Sequence, residues 1–282
     1  MKKSITLSAF FPSSKTNPER LKKALSEIEQ FDISTVEYYI EGCSADKIGN
    51  LLGGWESVFL SAVLQKQCNL NPSSDDMAER KKAVELLSDN MRFAEQAGAK
   101  YVLLNSGARP ADEKKDGECI KYLRESLCEL HQAARGVDLL LEPGDRDVEY
   151  RHLIGHLNVA DAFIQDIRQD IPSIGLVFDI SHIAQLGENL ADAWNIAKRS
   201  CAYVHLANCS LVIGNQYYGD KHPPFGIDGG VYSHKDAYEF YNGLIDENQH
   251  LNAGIEIICT EEAEEEFFTR IAEETDWFFN RK

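Results

Sequence analysis

Eight short apolar runs alternate with helical stretches along this chain, and no other feature constrains its fold as tightly. The runs fall at residues 5–10, 35–40, 58–63, 101–104, 139–141, 176–178, 202–206 and 255–258. Between them the spacing predicts helices over 18–30, 45–52, 74–97, 117–134, 150–168, 189–199, 235–247 and 261–279. Asn17 before Pro18 reads as a helix cap and first helical position, and Gly98 and Gly136 read as stops. Strands that alternate with helices pair in parallel, because each helix carries the chain back to the start of the next strand. A count of eight predicts closure into one (β/α)8 TIM barrel over residues 1–282, with no linker to divide it.

Such a barrel gathers the C-terminal ends of its strands on one face. Residues remote in sequence then become neighbours if they sit at those ends. The stretch Gly175–His182 (GLVFDISH) ends an apolar run on Asp179, with His182 three residues later. Asp179 alone would serve equally as a helix cap with His182 at the surface. The same ending recurs, however: Glu142 closes the fifth run, His205 the seventh, and Glu256 lies in the eighth. Three carboxylates and one imidazole form a donor set for a divalent ion such as Mn²⁺, Mg²⁺, Co²⁺ or Zn²⁺. Without a cation they would repel one another. Between the seventh and eighth runs, Asp220-Lys221-His222 precedes Pro223-Pro224-Phe225-Gly226. This long loop either adds ligands and substrate contacts or is a polar turn.

Net charge is −17, and no run of Lys or Arg offsets it, so nucleic-acid binding is disfavoured. The seven cysteines contain no Cys-x-x-Cys pair, which speaks against a disulfide framework and for a reducing compartment. No apolar stretch approaches membrane-spanning length, and the apolar part of MKKSITLSAFF is too short for a signal peptide. These features predict a cytoplasmic protein with a small-molecule partner and no membrane; assembly into a homo-oligomer stays open.

The segments LLLEPGDR, LVFDISH, YVHLAN, GDKHPPFG and GIEII together resemble the xylose-isomerase-like barrel superfamily. That group holds sugar isomerases, ketose 3-epimerases, hydroxypyruvate isomerase, inosose dehydratase and abasic-site endonucleases. The resemblance implies one divalent metal held by Glu142, Asp179, His205 and Glu256. It further implies that Glu142 and Glu256 act from opposite faces of a sugar, one removing a proton beside a carbonyl and the other returning one. The metal would polarise the carbonyl and stabilise the enediolate. His182 would hydrogen-bond a substrate oxygen, and Arg146 matches an arginine that follows the first glutamate in the epimerases.

The chain departs from the epimerase pattern in places. Leu211 stands where those enzymes usually carry an arginine, Asp145 replaces an asparagine, and Val148 stands where a glutamate is expected, with Glu149 one step late. The loop Asp220-x-His222, with His182, also resembles a further zinc site of the endonucleases. Their additional histidines have no counterpart here: the third run holds none, and the fourth ends in Asn105. The resulting expectation is a metal-dependent isomerase or epimerase of a small sugar or polyol derivative. A zinc hydrolase and an inosose-dehydratase-like lyase are the alternatives. His182, Arg146, Asp220, His222, Glu37 and Asn105 are the expected substrate contacts. His152 and His156, four apart, read as a surface pair on an outer helix, and Phe10, Phe11, Tyr217 and Tyr218 as pocket walls or packing.

Overall fold

A computed structural model describes residues 1–245, 251–260 and 266–280. Its eight strands are β1 (Lys2–Thr6), β2 (Thr35–Tyr38), β3 (Glu56–Leu60), β4 (Tyr101–Asn105), β5 (Asp138–Glu142), β6 (Gly175–Asp179), β7 (Cys201–Leu206) and β8 (Asn252–Ile255). All pair in parallel with their sequence neighbours, and β1 pairs with β8, so the sheet closes into a barrel. The expected (β/α)8 fold is therefore present. Helices α1 (Leu7–Phe10), α2 (Pro18–Ile28), α3 (Ala45–Leu52), α4 (Ser61–Cys68), α5 (Met77–Gln96), α6 (Asp116–Ala133), α7 (Leu157–Ile167), α8 (Ile180–Gln185), α9 (Leu190–Ala197), α10 (His234–Ile245) and α11 (Phe267–Phe278) follow. The expected helices over 235–247 and 261–279 extend at 246–247 and 261–265 outside the described residues.

The helices form where apolar spacing and caps coincide. Asn17 accepts the backbone N–H groups of Glu19 and Arg20. Asp76 caps α5 by accepting from Ala78 and Glu79, so that helix starts at Met77 and not at 74. Leu21, Ala24, Leu25 and Ile28 of α2, and Ala83, Leu87, Met91 and Ala94 of α5, face inward and are buried. No helix among the described residues is long and apolar enough to cross a membrane. None of the seven cysteines is joined in a disulfide.

Four boundaries differ from the sequence reading. β1 ends at Thr6, and Leu7–Phe10 turn into α1; Phe10 and Phe11 are buried against Phe267. β3 ends at Leu60, and the rest of that apolar run starts α4. β8 lies three residues earlier than the apolar run suggested, on Asn252-Ala253-Gly254-Ile255. Gly254 explains the discrepancy: a β-carbon there would meet Glu37 Oε1 at 2.2 Å, so the strand must stay small where a buried acid fills the barrel. Finally, α7 starts at Leu157 rather than near Tyr150. Asp145 accepts the backbone N–H groups of Val148, Glu149, Tyr150 and Arg151 and winds 145–151 into a loop. Arg151 takes φ 55° there, which no helix permits.

Candidate metal centre

Glu142, Asp179 and His205 close three adjacent strands, and Glu256 follows β8 by one residue. Their ligand-capable atoms lie within 4.8 Å of one another. Asp179 fills both of its sequence-based roles at once. Its Oδ1 caps α8, accepting from Ser181 N at 2.6 Å and His182 N at 3.2 Å. Its Oδ2 turns inward, buried and without a hydrogen-bond partner.

His205 is oriented from below. Its Nε2 stands 2.8 Å from Glu37 Oε2. Glu37 is wholly buried, and its other oxygen accepts from Ser4 Oγ at 3.0 Å and Tyr203 OH at 2.9 Å. A carboxylate only accepts, so Nε2 carries the hydrogen. Nδ1 then faces Glu142 Oε1 at 3.0 Å, Glu256 Oε2 at 3.0 Å and Asp179 Oδ2 at 3.7 Å. A carboxylate behind a histidine, fixing which nitrogen points forward, is the arrangement that metal-binding histidines use. The orphaned Asp179 oxygen and the convergence of three acids on Nδ1 fit a divalent cation. Metal-free, the imidazole must supply the positive charge itself. Burial opposes that charge, yet Glu37 and Glu256 hold the His205 pKa well above its ordinary value. Burial would likewise raise Glu142 and Glu256. The His205 hydrogen bond and the His182 charge overcome it at Glu142, and His222 with His205 at Glu256, so both lie below the usual carboxylate range.

A second group adjoins the first through Asp179. Asp179, His182 and His222 also bring ligand-capable atoms within 4.8 Å of one another. His222 Nε2 lies 2.7 Å from Asp220 Oδ1, and its Nδ1 lies 3.4 Å from Glu256 Oε2. His182 Nδ1 meets the Pro143 carbonyl at 2.9 Å and Nε2 meets Asp220 Oδ1 at 3.3 Å. With acceptors on both sides, the ring favours two N–H groups; against the cost of burial, Asp179 and Asp220 push its pKa up to about 9. Asp220 Oδ2 is bound by the ammonium of Lys66. His222 adopts φ 36°, an uncommon backbone region for a residue other than glycine and one that recurs at functional sites. Its carbonyl accepts from Ile258 N at 2.9 Å, which ties the loop after β7 to the segment after β8.

The structure thus brings Glu142, Asp179, His205, Glu256, His182, Asp220 and His222 to one end of the barrel. Asn105 joins them: its Nδ2 lies 3.4 Å from Glu142 Oε2, and its Oδ1 has no partner. Two expected substrate contacts fall elsewhere. Glu37 lies beneath His205 with no exposure, behind the ring and away from the open end of the site. Arg146 is spent on Asp116 at 2.7 Å and on the Leu153 carbonyl, and so braces the loop after β5. Glu149 does reach the site, accepting from Asp220 N at 2.8 Å.

Sequence reasoning passed over Gln65 and Lys66, because the apolar run that reads on to residue 63 hid the start of α4. It also misplaced His152. That residue is no surface partner of His156; it is buried in the Asp145 loop. Burial first, then the charges of Lys66 and His182, push its pKa down to about 4. His156 sits half-exposed at the start of α7, 2.9 Å from Glu188. Gln65, Lys66, Asn105, Tyr150 and His152 help line a cavity of about 80 Å³, which meets the acid cluster through Asn105, the neighbour of Glu142. Wider depressions of about 780 and 730 Å³ lie among the outer helices α5 to α7 and hold no such convergence of acids and imidazoles.

Three solved structures place the fold among known barrels. A D-psicose 3-epimerase from Clostridium cellulolyticum H10, solved with D-tagatose, superposes with TM-score 0.70 at 15% identity, over 98% of each chain. An IOLI protein with a bound zinc atom gives 0.70 at 16% identity, over 100% of each. An AP endonuclease, family 2, from Brucella melitensis gives 0.66 at 14% identity, over 95% of this chain and 98% of that one. A comparison with curated protein sequences finds no match. The sequence profile described as Xylose isomerase-like TIM barrel matches residues 4–277, nearly the whole chain, and the protein belongs to that family.

Proposed function

We propose that the protein is a divalent-metal-dependent isomerase or epimerase of a small, unphosphorylated sugar or polyol derivative. One observation carries the reading: His205 Nδ1, aimed by the buried Glu37, meets Glu142 and Glu256 at 3.0 Å from strands on either side of β6 and β7. A cation bound there supplies Lewis-acid polarisation of a substrate carbonyl and hydroxyl. Glu142 and Glu256 would then flank the carbon beside that carbonyl, one taking its proton and the other returning a proton to the opposite face. Glu256 suits the exposed side, because 16% of its side chain is accessible while Asp179 and His205 are sealed. The unpartnered Asn105 Oδ1 would accept a hydrogen bond from a substrate hydroxyl, and His182, held between the Pro143 carbonyl and Asp220, would wall the site. The amide, imidazole and phenol groups of Gln65, Asn105, His152 and Tyr150 in the small cavity next to the site suit hydroxyls, and its lining, with Lys66 as its one cation among the described residues, supports an unphosphorylated substrate. The epimerase among the structural neighbours supports the reaction class, and the zinc-bound one supports the metal.

The test is exchange in D₂O with the manganese- or zinc-loaded protein and a panel of free ketohexoses. The expected product carries one solvent deuterium beside the carbonyl. Glu256→Gln should lower that rate by about 10²–10⁴-fold. Substantial turnover by the variant would remove Glu256 from proton transfer. A second reading, a metallohydrolase, is favoured by the second ligand group at Asp179, His182 and His222. Cleavage of a phosphodiester with no exchange into any ketose would select it.

A further inference from the structure

The second ligand group already has a cation beside it, and that cation is part of the chain. Lys66 projects from α4, the helix that follows β3 on the strand-tip side of the barrel. Its ammonium binds Asp220 Oδ2 and lies 4.6 Å from the centre of the Tyr150 ring. Asp220 cannot easily swing away. Its backbone N–H is held by Glu149 at 2.8 Å, and Gln185 donates to the Gly219 carbonyl at 3.1 Å. The other Asp220 oxygen bridges His182 Nε2 and His222 Nε2 at 3.3 and 2.7 Å. The Nε2 atom of each histidine is therefore turned to an acceptor, and that acceptor is neutralised by Lys66.

Charge makes the same point. Asp179 is the only acid that the second group shares with the first, and its inward oxygen already faces His205. With Asp220 paired to an ammonium, a second divalent ion would have one shared carboxylate, two imidazoles and a fixed positive charge across Asp220. Two like charges a few ångströms apart in a buried site repel strongly, because little solvent screens them.

We infer that Lys66 acts as a built-in substitute for a second metal ion, restricting this barrel to one divalent cation, at the Glu142–Asp179–His205–Glu256 group. The inference rests on the proposed metal-dependent reading, since it specifies how many ions that centre takes. It makes Lys66 a positioning residue. It fixes Asp220, and through Asp220 it holds the Nε2 of both histidines as hydrogen-bond donors to that carboxylate instead of as ligands.

Metal content after equilibration with excess zinc and removal of free ion tests it without reference to activity. The wild-type protein should hold one zinc per chain. Lys66→Met, which keeps the stem of the side chain and removes the charge, should hold two. The double variant Lys66→Met with Asp220→Asn should return to one, and Lys66→Arg should stay at one. Two zincs in the wild type would overturn the inference outright, whether or not any variant folds. One zinc in a folded Lys66→Met protein would also overturn it. No zinc in the wild type but one in Lys66→Met would uphold the role of Lys66 while removing the proposed catalytic metal. No zinc in either would remove both.

Discussion

The two histidine clusters at the barrel mouth share Asp179, yet they are prepared for different tasks. Around His205 the backing group is an anion: Glu37 takes the hydrogen from Nε2 and leaves Nδ1 directed at three carboxylate oxygens. Around His182 and His222 the opposing group is also an acid, Asp220, but a lysine has already satisfied it. The first cluster is an excess of negative charge closed around a point. The second is a chain of hydrogen bonds from a carbonyl through imidazole to carboxylate to ammonium. The difference teaches that ligand type alone does not make a metal site. What stands behind each ligand decides whether its lone pair is available.

Breaking the backing of the first cluster should have the largest effect. Glu37→Gln keeps an acceptor for Tyr203 and Ser4 but weakens the hold on His205. Metal affinity should fall about 10–100-fold, measured by competition with a chromogenic chelator. Glu37→Ala leaves the Ser4, Tyr203 and His205 donors facing a void and should cost about 3–5 kcal/mol in denaturant unfolding. An unchanged metal affinity in Glu37→Gln would mean that the acid beneath the ring is structural filler.

A smaller effect lies on the other side, at His152. Burial first, then the charges of Lys66 and His182, push its pKa down to about 4 from the ordinary 6.5. Between those values the unfolded chain binds the proton and the folded one does not. The stability from neutral His152 is thus fully present above pH 6.5 and lost as pH falls through 4, up to about 3 kcal/mol. His152→Gln should flatten the unfolding profile by that amount across this window. A profile that keeps its slope would assign the acid sensitivity to other groups.

Much of this was readable from residues alone because strand tips are chemically conspicuous. An apolar run that stops on Glu142, Asp179 or His205 announces both the strand and its end. The unread parts share a physical cause: a residue was doing something its local neighbours do not encode. β8 runs through Asn252-Ala253-Gly254, too small and polar to look like a strand, because Glu37 from β2, the strand beyond β1, fills the space. His152 was set on a helix because nothing near it signals that Asp145 collects four backbone N–H groups. Lys66 sits among ordinary helix formers, and its importance comes from Asp220, more than a hundred residues away. Arg146 matched a family position by sequence, while Asp116 on α6 drew its guanidinium away from the site.

The most direct test of the contrast is anomalous diffraction at the zinc edge from crystals grown with zinc in excess. The account predicts one peak per chain, about 2.0–2.2 Å from Glu142, Asp179, His205 Nδ1 and Glu256. A peak between His182 and His222, or no peak beside His205, would contradict it.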